Sequence, residues 1–258
     1  MGKTICIANQ KGGVGKTTTA VNLSASLAIN KHRTLLIDID PQGNASSGVG
    51  VPKEGVENTI YNVIIDDREL QQAIQETPFP NLSIVPSSID LIGAEIELVN
   101  VAGREARLKE KLETVSDQYD YIIIDCPPSL GLLTINSLNA ADSVLIPIQC
   151  EYYALEGLSQ LLKNVKRIKG AFNPNLKIEG FLLTMFDRRN NLSHQVACEI
   201  KNYFPDKVFQ TIIPRNVKLG ESPSYGKPIF FYDKLSAGAR SYLELAQLIT
   251  NGERNYHG

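Results

Sequence analysis

Short apolar runs recur along this chain, each followed by a longer stretch of helical character. Seven runs predict strands, over residues 4–8, 34–38, 82–86, 121–125, 143–148, 179–184 and 208–213. Several are apolar on both faces, as in Tyr121-Ile122-Ile123-Ile124. A strand of that kind needs helices covering both sides of a parallel sheet. Helices are predicted over residues 16–29, 105–115, 155–169, 193–203 and 236–250. The alternation predicts an α/β fold, a doubly wound and mostly parallel sheet with helices on both faces. With no linker, repeat or low-complexity segment, residues 1–258 read as one domain. Residues 42–81 are the least regular and are expected to cover one edge of the core. The polar stretch 251–258 is expected to fray.

Composition narrows the function classes. At 258 residues the chain is long enough for one large core. No apolar run reaches the roughly 18 residues that would span a membrane. With a glycine loop already at residue 10, neither a secretory leader nor an N-terminal winged helix is expected, and Cys6 breaks the myristoylation pattern. Cys6, Cys126, Cys150 and Cys198 form no C-x-x-C pair, so no zinc or redox motif is visible. Cys6, Cys126 and Cys150 lie in or beside apolar runs and are expected to be buried free thiols. His32, His194 and His257 are widely spaced and are assigned no chemistry. The net charge of −2 argues neither for nor against nucleic acid, but its distribution is uneven. Residues 1–150 carry 11 Lys and Arg against 18 Asp and Glu, net −7, and residues 151–258 carry 15 against 10, net +5. Such asymmetry can mark a basic face for a polyanion.

Ligands of doubly wound sheets bind at the carboxyl ends of the strands, and the chemistry-bearing residues fall there. After the first strand comes Gln10-Lys11-Gly12-Gly13-Val14-Gly15-Lys16-Thr17-Thr18, and then a helix. Strand, glycine loop and helix form a phosphate cradle, whose backbone N–H groups and helix N-terminus favour anionic oxygens. Lys16 would reach the β- and γ-phosphates, and the Thr17 hydroxyl would hold Mg²⁺. Lys11, at the start of the loop, is badly placed to fold back onto its own phosphates and could instead cross to a neighbouring subunit's nucleotide. The run Ile37-Asp38-Ile39-Asp40-Pro41-Gln42 ends the second strand with two carboxylates, either of which could orient a water. Ile124-Asp125-Cys126-Pro127-Pro128 ends another strand in the form of a Walker B segment, whose Asp supports Mg²⁺ through water.

The loop Lys11-Gly12-Gly13-Val14-Gly15-Lys16-Thr17-Thr18 resembles the deviant Walker A loop of the ParA/MinD ATPases. Asp38-Ile39-Asp40-Pro41-Gln42 resembles that family's Walker A′ box, which implies that Asp40 is the hydrolytic residue. The segment Ile213-Pro214-Arg215-Asn216 resembles its adenine-contacting loop, implying that Pro214 and Asn216 hold the base. Cys150-Glu151-Tyr152-Tyr153-Ala154-Leu155-Glu156-Gly157 and Leu183-Thr184-Met185-Phe186-Asp187 extend the likeness over nearly the whole chain and point to the chromosomal ParA (Soj) branch. The resemblance implies a cytoplasmic, nucleoid-associated ATPase using ATP and Mg²⁺. It implies an ATP-bound sandwich homodimer, nonspecific double-stranded DNA as ligand, and a ParB-type centromere-binding partner that stimulates slow hydrolysis. Arg189 and Lys218 match positions associated with DNA binding, and Arg188, Arg215 and Arg240 lie nearby in the basic half. Phe230-Phe231-Tyr232 stands where a more basic stretch is expected in such a face.

Three rivals share the loop. A MinD-like membrane-cycling ATPase needs an amphipathic basic helix at its end, and residues 251–258 are short, polar and without lysine. An iron–sulfur electron-transfer ATPase needs cysteines placed to bridge a cluster, for which Cys126 and Cys150 are ill suited. A cargo-positioning ParA homologue would have the same sequence features, and a neighbouring ParB gene would discriminate it.

Overall fold

The computed structural model describes residues 2–53, 55–151 and 154–252, without the side chains of residues 154–156. Tyr152 and Tyr153, and the part of the expected frayed segment beyond Gly252, lie outside the described residues. Seven strands form one sheet: β1 (Lys3–Ile7), β2 (Thr34–Asp38), β3 (Gln75–Glu76), β4 (Leu82–Val85), β5 (Tyr121–Asp125), β6 (Ser143–Gln149) and β7 (Lys177–Thr184). Their order is β3-β4-β2-β5-β1-β6-β7, parallel throughout except for the β3–β4 pair. The sheet alternates its side chains between two cores. Cys6, Leu35, Ile37, Ile122 and Ile124 face one, and Ile5, Ile7, Leu36 and Ile123 face the other. The first core is closed by helices that include Arg107–Glu113, Leu132–Ala140, Ala154–Ala171 and Asn191–Tyr203. The second is closed by Lys16–Ile29 and Ala237–Asn251. This is the doubly wound arrangement expected from the strand pattern.

Register fixes where chemistry can occur. Ile7 and Asp38 both pair with Asp125 across the central strands, so β1, β2 and β5 end at one level. The glycine loop and both acidic strand ends therefore open onto the same edge.

Two expectations need correction. Residues 208–213 do not form a strand; the segment follows the free edge of β7 but bridges it only at Phe181–Val208 and Phe186–Pro214. It is held by intermittent backbone bonds, such as Phe209 N–H to Phe181 O at 3.0 Å and Ile213 N–H to Leu183 O at 2.9 Å. Its apolar side chains serve the core without a regular ladder. The helix Leu132–Ala140 was not expected, because its buried positions include Thr134, Asn136, Ser137 and Asn139. Their donors are met by nearby carbonyls: Asn136 Nδ2 donates to Arg104 O at 2.7 Å, and Asn139 Nδ2 to Glu105 O at 2.7 Å, while Asn139 Oδ1 has no partner among the described residues.

The irregular edge makes one glycine essential. A Cβ on Gly180 would lie 2.6 Å from Phe209 Cε2 and 3.0 Å from the Lys207 carbonyl oxygen. Gly180→Ala is expected to destabilise the chain by about 1–3 kcal/mol through overpacking. That should lower the melting temperature by several degrees. An unchanged melting curve would mean that the 207–209 segment moves aside without cost.

Candidate functional site

The loop after β1 turns through two left-handed glycines, Gly13 at φ 74° and Gly15 at φ 86°, a conformation that side chains bearing a Cβ resist. Gly12 and Gly13 are exposed with open space around them. Val14 is buried, and its carbonyl accepts a 2.8 Å bond from Thr184 Oγ1 at the end of β7. Gly15 caps the Lys16–Ile29 helix, and no side chain caps its first turn. The helix dipole and the first-turn N–H groups thus face the loop's concavity. Lys16 is 7 % exposed and folds back over the loop, donating to Lys11 O at 3.1 Å. Burial lowers its pKa, and the nearby Asp125 and Asp40 partly offset this. A buried ammonium inside a cradle of N–H groups suits a polyanion.

Lys11 behaves differently. Its backbone N–H is fixed by Asn9 Oδ1 at 3.0 Å, and Asn9 in turn donates to Pro147 O at 2.7 Å. Its ammonium points to the rim, where it pairs with Glu151 Oε2 at 2.7 Å. Gln149 Nε2 steadies that carboxylate through Oε1. Asn9, Gln149 and Glu151 were not singled out from sequence.

The two acids of β2 are sorted by the structure. Asp38 is fully buried and accepts from Ser46 N–H at 2.7 Å, Ser46 Oγ at 2.8 Å and Asp40 N–H at 3.2 Å. Burial pushes its pKa up to about 6 despite those bonds. Asp38 thereby ties β2 to the turn beyond it. Asp40 is 8 % exposed, and among the described residues its carboxylate receives only Gln42 N–H, at 2.9 Å. Its main chain is held by Ser87 Oγ, which donates to Asp40 O at 2.5 Å, while Ser87 N–H donates to Ser46 Oγ at 3.1 Å. This serine pair orients the Asp40 backbone, and sequence reading gave no sign of it.

Asp125 is the anomaly that defines the site. It is completely buried, and neither carboxylate oxygen has a hydrogen-bond partner among the described residues. Thr17 lies near enough to favour its charged form without completing a bond of normal geometry. Burial, followed by the charge of Asp38, holds the Asp125 pKa well above the carboxylate range. An unpaired buried carboxylate costs several kcal/mol. The residues fit a divalent cation here. Among the described residues no three His, Cys, Asp or Glu side chains form a metal cage. That suits Mg²⁺, which keeps water and phosphate oxygens and takes only one or two protein ligands. Thr17 would supply its hydroxyl, and Asp125 would act through water.

The expected base-binding residues line one cavity of about 180 Å³ beside the loop, formed by Thr18, Thr184, Met185, Pro214, Asn216 and their neighbours. Asn216 caps the short helix Val217–Glu221 by accepting from Lys218 N–H at 2.9 Å, so its amide NH₂ is the side left to meet a base edge. Met185 adopts φ 49°, an unusual backbone for a side chain of its size.

The expected basic residues gather on the same flank. Arg188 and Arg240 border one cavity, with Glu244. Arg189 is 89 % exposed and makes a two-point pair with Asp187, Nη2 to Oδ2 at 3.0 Å and Nε to Oδ1 at 3.1 Å, which holds Asp187 at about 2. Arg215 is exposed and also bears on Asp187. Lys218 pairs with Glu221 at 2.9 Å and sits over the Tyr232 ring. The aromatic run is mostly engaged inward. Phe230 packs on the core, Phe231 stacks on Phe79 at 4.4 Å, and Tyr232 donates to Glu221 at 2.9 Å. Cys6, Cys126 and Cys150 are buried free thiols and Cys198 is exposed; burial pushes the Cys6 thiol up. Among the described residues no helix is long and apolar enough to cross a membrane.

A family model described as an AAA domain matches residues 2–178. The chain is 60 % identical over 253 residues to the sporulation initiation inhibitor protein Soj of Bacillus subtilis, covering 98 % of this chain and 100 % of that one. It is 58 % identical over 247 residues to the chromosome partitioning protein ParA of Myxococcus xanthus, covering 96 % and 87 %. Among solved structures it is similar to a Mycobacterium smegmatis protein described as cobyrinic acid a,c-diamide synthase with bound ADP and magnesium. That match has a TM-score of 0.86 and 34 % identity, over 100 % of both chains.

Proposed function

The chain belongs to the ParA/Soj family of chromosome-partitioning P-loop ATPases, and we propose that it is a DNA-partitioning ATPase whose ATP-bound dimer holds nucleoid DNA until hydrolysis releases it. The observation that carries this reading is the division of labour between the two loop lysines. Lys16 fills its own cradle, whereas Lys11 points outward to Glu151. A lysine held at the rim can serve a nucleotide presented by a second copy facing it. ATP bridging two such faces would exchange Glu151 for the neighbour's phosphates and join the subunits.

Within each site the protein's work is positioning and charge compensation, as phosphoryl transfer requires. The loop amides and Lys16 would bind the β- and γ-phosphates, Thr17 and Asp125 would hold Mg²⁺, and Pro214 and Asn216 would seat the adenine. When bound there, the cation would supply charge neutralisation for the phosphoryl group. Asp40 orients the attacking water, its own backbone fixed by Ser87. Hydrolysis is slow until a ParB-type partner stimulates it, and the protein is cytoplasmic and nucleoid-associated rather than on membrane.

Sedimentation of the purified protein with and without ATP and DNA tests this reading. Dimers and DNA association should both require ATP; DNA binding by the nucleotide-free monomer would refute it. Vesicle sedimentation under the same conditions should show no ATP-dependent binding.

The DNA face of Arg188, Arg189, Arg215, Lys218 and Arg240 has its own test. Arg189→Glu removes a cation and leaves Asp187 unpaired beside a new carboxylate. Affinity should fall equally for unrelated DNA sequences, because phosphate contacts read no bases. The slope of log affinity against log salt should become shallower by about 1 for each phosphate that is no longer neutralised. ATP affinity and ATP-dependent dimerisation should be unchanged. Normal DNA affinity at several salt concentrations would move the face away from Arg189.

A further inference from the structure

The irregular stretch after β2 carries an exposed lysine back to the acidic strand end. Asp40 opens a tight turn, closed by Gly43 N–H donating to Asp40 O at 2.9 Å, and Gln42 N–H donates to Asp40 Oδ1 at 2.9 Å. The place of the carboxylate is therefore set by the peptides of residues 41–43. Lys53, 11 residues beyond Gln42, clips that turn from outside: its Nζ donates to Gln42 O at 2.6 Å and to Asn44 Oδ1 at 2.9 Å. Its stem lies over Gly43, which turns at φ 60°; a Cβ built there would lie 3.5 Å from Lys53 Cγ and 3.6 Å from Cδ. The base of the clip is anchored. Val49 and Val51 are buried in the second core, and a Cβ on Gly50 would lie 3.2 Å from Gly226 O.

Holding a long exposed side chain costs rotamer entropy, so a fixed lysine needs a return. Here both acceptors are neutral oxygens, and among the described residues the ammonium meets no carboxylate. Hydrogen bonds from an ionised donor are stronger than those between neutral groups. The Gln42 carbonyl also belongs to the same peptide unit as Gly43 N–H. A cation on that oxygen withdraws electrons from the nitrogen and strengthens the bond from Gly43 N–H to Asp40 O. Ser87 holds the Asp40 carbonyl from one side, and Lys53 holds the turn from the other.

We infer that Lys53 is a positioning residue for hydrolysis: through the Gln42–Gly43 peptide it holds the Asp40 carboxylate where a water must be oriented. It acts on the turn rather than on the nucleotide. The inference rests on the reading of Asp40 as the water-orienting residue for its consequence, and on the two bonds of Lys53 alone for the clip.

Two variants of the full chain test it. Lys53→Met keeps the stem and removes the charge; Lys53→Arg keeps a charged donor. In Lys53→Met, turnover at saturating ATP should fall about tenfold, part of the roughly hundredfold that an ångström of misplacement can cost. ATP affinity and ATP-dependent dimerisation should match the parent. The melting temperature should stay within about 2 °C, as for an exposed substitution. Lys53→Arg should recover most of the lost turnover. Added to Asp40→Ala, Lys53→Met should cause no further fall in the single-turnover rate, since it acts through that carboxylate. By NMR of the nucleotide-free protein, the Gln42 and Gly43 amides should exchange with solvent severalfold faster in Lys53→Met. Parental turnover in Lys53→Met, equal turnover in the two variants, or a further fall in the Asp40→Ala background would overturn the inference. So would lost ATP affinity or a melting temperature lowered well beyond that margin, by assigning Lys53 to the nucleotide site or to the fold. Unchanged amide exchange would overturn the clip itself, whatever the turnover. If Asp40→Ala turns over like the parent while the amides respond as expected, the hydrolytic reading of Asp40 falls and the clip stands.

Discussion

Lys16→Ala should abolish ATP binding at working concentrations. The wild-type ammonium sits 7 % exposed within the loop, so its charge acts on phosphate with little solvent screening. A hydrogen bond to a charged group contributes about 1.5–3 kcal/mol. Removing one such bond from each of two phosphates predicts an affinity lower by roughly two to four orders of magnitude. The fold should survive, because among the described residues the only bond that Nζ makes is to the Lys11 carbonyl, and its burial is costly in itself. Isothermal titration with ATP and Mg²⁺, beside a circular dichroism melt, checks both halves. Wild-type affinity in a folded variant would show that the loop is not the nucleotide site.

Asp40→Ala should separate binding from hydrolysis. Among the described residues the Asp40 carboxylate accepts one bond, from Gln42 N–H, and the carbonyl bond from Ser87 survives the substitution. Structure and ATP affinity are therefore expected to be retained. Turnover should fall by about 10²–10⁴, the usual contribution of a positioned acid or base. With ATP and DNA present, the variant should accumulate as a DNA-bound dimer that does not turn over. Asp38 has the same charge two residues earlier, but its oxygens already hold Ser46 and the Asp40 amide. Unaltered turnover in Asp40→Ala would nevertheless transfer the role to Asp38, and Asp38→Asn would then be the variant to make.

The parallel strands were legible because burial on both faces leaves continuous apolar runs, as in residues 121–124. The acidic strand ends were legible because polarity begins abruptly where those runs stop. The strand expected at residues 208–213 failed for the same reason that it looked convincing. Apolar content records burial, and Phe209 and Ile213 are buried from an edge segment that never joins the ladder. The helix Leu132–Ala140 was hidden by the opposite effect, since asparagines and serine buried among backbone carbonyls erase the apolar stripe. At the site, the loop and the two acids could be named from local spacing. Their sorting could not, because it depends on Ser46, Ser87, Thr184 and Glu151, which reach them across 8 to 170 residues of sequence.

On the proposed reading, the pre-formed pairs Arg189–Asp187 and Lys218–Glu221 set the character of the grip on DNA. A guanidinium that already holds a carboxylate gains little by changing to a phosphate, so each contact is an exchange between similar partners. One subunit's face would then let go quickly. Strength would come from avidity, in which the first face to bind raises the effective concentration of the second. Dividing the dimer would remove that multiplication at once. The protein would leave DNA abruptly when its nucleotide is spent, although no single contact in the face is strong.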